Sequence, residues 1–147
     1  MAKKTLHTLI RVRKWEVDEK QRALGQLLRD EEKILEFQAA LVRELAEEKA
    51  TVSQLPGNER TTFEPYVRRW AQRRDNLASV LILLRQKIEG AREELAEAYR
   101  RLKTFEITQD QRDVTEEKEE NRLEQMVLDE MGLELHRRKE TISASQS

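Results

Sequence analysis

SQLPGNERTTFEP, residues 53–65, holds both prolines of the 147-residue chain, Pro56 and Pro65. Pro56-Gly57-Asn58 is a strong turn signal, because proline has no N–H to continue a helix and glycine and asparagine favour turn conformations. Thr62 stands where its hydroxyl can cap a following helix. Every other stretch is free of proline, so the sequence predicts two long helices, residues 5–53 and 63–135, joined by a turn at 54–62.

The apolar residues on either side of this turn are spaced for helices that cover each other. After it, Val67, Trp70, Arg74, Leu77, Leu81, Leu84, Ile88, Ala91, Leu95, Ala98, Leu102 and Phe105 step alternately by three and four, with Arg74 the one polar member. That is a heptad seam. Before it, Ile10, Val17, Leu24, Leu27, Ile34, Leu41, Leu45, Val52 and Leu55 form a looser seam, interrupted by Arg13, Lys20, Glu31, Gln38 and Glu48. Such interruptions lower stability and help to fix register.

Folding back at the turn sets residue i opposite a residue near 117 − i, so Leu6 faces position 111 or so, beyond which the first helix has run out. The seam fails in the same place: after Phe105 the next heptad positions are Gln109, Arg112, Glu116 and Glu119. Charges fit this register as well. Arg68, Arg69, Arg73 and Arg74 fall near Glu44, Glu47 and Glu48, and Lys3 and Lys4 near Asp113, Glu116 and Glu117, although exposed pairs add only tenths of a kcal/mol. The expected fold is all-α: an antiparallel coiled-coil hairpin whose second helix overhangs at its C-terminal end. Residues 1–140 form one domain in this reading, Gly132 is a place for the helix to bend or end, and 141–147 is a flexible polar tail.

Composition supports long helices over a thick globular core, with 37% hydrophobic, 39% charged and only 5% aromatic residues. The net charge of −1 comes from interleaved acids and bases, which disfavours nucleic-acid binding driven by overall positive charge. With no cysteine there is no thiolate metal site or cysteine nucleophile. No apolar run is long enough to span a bilayer, and the N-terminus lacks the apolar stretch of a signal peptide, so no membrane insertion is expected. His7 and His136 have no ligand partners at metal-site spacing, and the four glycines form no phosphate-binding loop. The expectation is a chain with no cofactor and no enzymatic activity.

Two stretches remain unexplained by the hairpin. On the overhang, Leu123, Met126, Val127, Met131 and Leu135 make an apolar stripe, which a helix of another protein, a second copy of the chain or local fraying could each account for. Beside the turn, FEPYVRRWAQRRDN (63–76) sets Phe63, Tyr66 and Trp70 on one face among four arginines. Aromatic residues with arginine are typical interface anchors, yet Trp70 is equally accounted for as the first member of the seam. RVRK (11–14) suits an acidic partner or a solvated helix face.

LIRVRKWEVDEKQR (9–22), QRRDNL (72–77), ELAEAYRRLKTFE (94–106) and EENRLEQMVLDEMGLELHRRK (119–139) together resemble the flagellar export protein family FliJ, in order and over nearly the whole chain. The resemblance implies a non-enzymatic antiparallel coiled coil, similar to the stalk of rotary ATPases, serving flagellum biogenesis, motility and chemotaxis. It further implies binding to the hexameric export ATPase, promotion of its assembly and activity, coupling to the membrane-embedded export gate, and escort of export chaperones. The expected location is the cytoplasm, peripheral at the inner membrane, with the free chain monomeric. Aligned on ENRLEQ, the family's gate-binding apolar pair falls on Tyr66 and Trp70, with Phe63 beside them. By analogy with rotary stalks, the candidates for ATPase contact are Arg11, Arg13, Lys14, Arg122, Leu123, Met126, Val127 and Met131. A virulence-type secretion stalk and a homodimerising coiled-coil scaffold are the alternative readings.

Overall fold

Two α-helices and a short connector account for the described residues of the computed structural model. It describes residues 2–146, with the side chains of 2–5 and 58–60 outside that description. Helix α1 is Ala2–Ser53, a 3-10 helix follows at Gly57–Thr62, and helix α2 is Phe63–Gln146. No strand occurs among the described residues. The chain divides into two compact units, Val12–Leu102 and Met1–Arg11 with Lys103–Ser147.

Pro56 ends α1 as expected, since it cannot donate the next helical hydrogen bond. The backbone N–H groups of Gln54 and Leu55 donate to the carbonyls of Thr51 and Val52 at 3.2 and 3.1 Å, tightening the last turn into 3-10 geometry. No described residue, Gly57 included, has positive φ. The chain therefore reverses through a 3-10 helix and not through a left-handed glycine. Thr62 directly precedes α2, and Pro65 lies in the first turn of that helix, where an amide donor is dispensable.

In the unit Val12–Leu102 the two helices run antiparallel and bury their seams against each other. Val17 and Leu41 from α1 and Trp70, Leu81, Ile88, Ala98 and Leu102 from α2 are its buried apolar side chains. Each large one contributes about 1.5–3 kcal/mol when fully buried. The polar interruptions of α1 are half-buried seam positions, two of them answered from α2: Lys20 Nζ reaches Glu94 at 2.9 Å, and Arg85 Nε donates to Glu31 at 3.2 Å. Arg73 meets Glu44, the partner given by the expected register, at 3.2 Å. Arg68 instead pairs along its own helix with Glu64, at 3.8 Å.

In the unit Met1–Arg11 with Lys103–Ser147, Leu6 and Gln109 are buried. Burial thus runs one heptad position past Phe105, where the apolar pattern fails, and it takes in an amide. Gln109 Nε2 donates to Asp113 at 2.7 Å, while its Oε1 has no partner among the described atoms. The expected proximity of Lys3 and Lys4 to Asp113, Glu116 and Glu117 involves side chains outside the described residues.

From Asp110 to Gln146 every described side chain is exposed. The expected helix end at 135 is corrected, because α2 continues through Gln146 and the stretch 141–146 expected as a tail is helical. A lone glycine at 132 costs a helix only about 1 kcal/mol relative to alanine, which the surrounding Leu, Glu, Arg and Lys residues offset. Pairs along the helix add support: Arg138 with Glu134 at 3.5 Å and His136 with Glu140 at 3.0 Å.

Two substitutions test this packing in chemical denaturation. Trp70→Ala is expected to destabilise the chain by about 3–5 kcal/mol through the lost side chain and the cavity it leaves. Gln109→Leu is expected to stabilise it by about 1 kcal/mol, because it removes a buried acceptor that has no donor among the described atoms; a loss of stability would show that the oxygen is satisfied or that the bond to Asp113 outweighs it.

Candidate functional site

The first candidate surface lies where α2 begins. Its geometry starts with Trp70, whose ring is only 9% exposed and whose Nε1 donates to the Leu41 carbonyl of α1 at 2.7 Å. The Arg74 guanidinium, exposed at its own seam position, sits 5.4 Å from the centre of the indole ring. The structure therefore makes Trp70 a core anchor with a satisfied polar handle, and a partner could reach it fully only by opening the hairpin.

Phe63 and Tyr66 remain at the surface, half-exposed, with ring centroids 6.2 Å apart and planes 22° from parallel. Tyr66 Oη donates to Glu44 at 3.2 Å, and Arg73 donates to the same carboxylate. This holds a small aromatic face in one orientation, which lowers the entropy lost on docking. Partial burial, and then the hydrogen bond and negative charge of Glu44, push the Tyr66 phenol above its ordinary value of 10.0.

Next to it runs an apolar cleft lined by Phe37, Leu41, Glu44, Arg73, Leu77 and Val80, which sequence reasoning missed. Phe37 and Val80 are large and exposed. The available signal was that both are apolar yet stand outside the heptad seams.

The second candidate surface is the exposed part of α2. Leu123, Met126, Val127 and Met131 are half to three-fifths exposed, as one face of a helix is when nothing covers it. Leu128, Leu133 and Leu135 extend the apolar area, and Leu123, Val127 and Leu128 line a shallow cleft with Glu124. Arg122 grips Glu119 with two nitrogens, at 2.6 and 3.2 Å, and places a third 3.3 Å from Met126 Sδ. That hydrogen-bonded pair holds the Glu119 carboxyl below, and the Arg122 guanidinium above, their ordinary values. Of the basic candidates on α1, Arg11 and Lys14 are exposed, whereas Arg13 is half-buried and bound to Glu16 at 2.9 Å. Among the described residues no acidic or histidine cluster could hold a metal ion, and no helix is long and apolar enough to cross a membrane.

Helices that bury a narrow seam against each other and leave apolar and aromatic faces open define a helical-hairpin protein. The family model for the flagellar FliJ protein matches residues 2–141, and the chain belongs to that family. It is thus a component of the flagellar export apparatus. Comparison with curated proteins and with solved structures gives no match.

The hydrogen bond between Tyr66 and Glu44 is testable by titration. Because the folded chain favours the neutral phenol, the stability this group contributes is fully present below its unfolded value of 10.0 and is lost as the pH rises through the higher folded value. Glu44→Gln is expected to lower the Tyr66 midpoint, measured by phenolate absorbance in a Tyr99→Phe background; an unchanged midpoint would remove Glu44 as a cause.

Proposed function

We propose that this chain is a non-enzymatic stalk of the flagellar type III export apparatus, binding the hexameric export ATPase, promoting its assembly and activity and coupling it to the export gate. The observation that carries this reading is the length of α2 from 110 to 146, where large apolar side chains stand exposed at helical spacing in a chain of the FliJ family. Leu123, Met126, Val127 and Met131 form the ATPase contact, with Arg122 shaping its edge and Arg11, Arg13 and Lys14 supplying positive charge for acidic groups of the ring. Phe63 and Tyr66 offer the stacked face to the export-gate membrane protein. Trp70 supports that face from beneath by fixing the start of α2 against α1. Escort of export chaperones belongs to the same reading, as does a place at the cytoplasmic face of the inner membrane.

Leu123→Asp combined with Val127→Asp tests the ATPase contact. Both side chains are exposed, so helicity and unfolding free energy are expected to stay within about 0.5 kcal/mol of wild type. Ring formation and hydrolysis by the cognate export ATPase are expected to lose most of their response to the chain. A response equal to wild type would exclude the stripe from that contact. At the other surface, Tyr66→Ala is expected to weaken binding to the gate protein by about tenfold, the loss of roughly 1.4 kcal/mol; unchanged affinity in a folded variant would exclude Tyr66.

A further inference from the structure

We propose that residues 114–145 of α2 also take a second copy of the chain, laid antiparallel, in a weak dimer that covers Leu128, Met131 and Leu135. Val114, Asn121, Leu128, Leu135 and Ile142 recur every seven residues, each followed three residues later by Glu117, Glu124, Met131, Arg138 or Ser145 in turn. This is the spacing of a two-helix seam, and all of it is exposed. Its apolar members Leu128, Met131 and Leu135 stand in the middle.

The charges on either side select the partner and its direction. Glu116, Glu117, Glu119, Glu120 and Glu124 precede the apolar centre, and Arg137, Arg138 and Lys139 follow it. A parallel copy in register sets Glu117 on Glu117, Glu124 on Glu124 and Arg138 on Arg138. An antiparallel copy centred between residues 129 and 130 sets Leu128 on Met131 of the second copy and Arg138 on Asn121, with Glu117, Glu120 and Glu124 around it. The basic end of each helix then lies on the acidic block of the other. Arg138 now pairs with Glu134 at 3.5 Å on its own helix, but both are exposed, and pairs of that kind exchange at little cost.

The seam has only two fully apolar layers at its centre, Leu128 on Met131 from each side, and Leu135 faces Glu124, so the dimer forms at high concentration and the dilute chain is monomeric. Its surface shares Met131 with the proposed ATPase contact, so the two associations compete for that side chain. The dimer does not rest on that contact, because it is measured on the chain alone.

Sedimentation equilibrium of the full chain is expected to show a monomer passing to a dimer as concentration rises. Leu128→Asp with Met131→Asp, both exposed and checked for unchanged helicity, abolishes it. Changing Arg137, Arg138 and Lys139 to Glu weakens it at least tenfold. Direction is read by disulfide cross-linking, since the chain has no cysteine. Mixing Val114→Cys with Ser145→Cys protein under mild oxidation yields a cross-linked pair, while each alone does not, because its own two cysteines lie far beyond the roughly 7 Å a disulfide spans. Cross-linking of either single variant with itself, absence of cross-linking in the mixture, a monomer at the highest soluble concentration, or a dimer that survives Leu128→Asp with Met131→Asp overturns the proposal.

Discussion

A helix with a narrow apolar stripe needs a cover, and in this chain Pro56 ensures that the first available cover is the chain's own second helix. By ending α1 it leaves two separate stripes joined by a short connector, and within Val12–Leu102 each buries the other. The seams alone are thin, broken by Lys20 and Glu31 on α1 and by Arg74 on α2. Trp70 strengthens them at the turn. Its indole N–H meets a backbone carbonyl at 2.7 Å, a contact that a slip of one residue would lose, so the same side chain supplies burial and register.

The hairpin was legible because proline placement and heptad spacing are local properties, each readable over a dozen residues. Register was legible too, and the ion pair of Arg73 with Glu44 lies where the turn position puts it. Less was visible where the outcome depends on small differences. The end of α2 turned on a single glycine against many good helix formers, and the formers prevailed through Gln146. Burial of Gln109 could not be read from an apolar pattern, since it is a polar residue that continues the packing. Of the aromatic group near the turn, sequence alone could not divide core from surface: Trp70 went to the core, and Phe63 and Tyr66 stayed outside. The cleft of Phe37 and Val80 joins residues far apart in the chain, and only the paired helices bring them together.

The two open surfaces differ in kind. Near the turn, stacking between Phe63 and Tyr66 and the shared Glu44 carboxylate fix the orientation of two rigid rings. A surface prepared in this way loses little entropy on binding and discriminates by shape. Along α2 the side chains are leucine, valine and methionine on a helix with nothing behind it. Methionine in particular adapts to differing partner shapes. One surface therefore suits a single matched partner, and the other suits partners of differing shape.

An exposed stripe in a free chain carries an aggregation hazard, and the charges around it decide what forms instead. Acidic residues crowd its N-terminal side and basic residues its C-terminal side, so a second copy laid parallel and in register brings like charges together. Antiparallel pairing with a second copy is an arrangement in which that polarity is satisfied at both ends at once. A contact so small stays reversible, and it must, because any partner that uses Met131 has to displace it. The stripe thus balances two requirements: enough apolar surface to hold a partner when one is present, and enough charge order that the chain by itself reaches only a closed and weak pair.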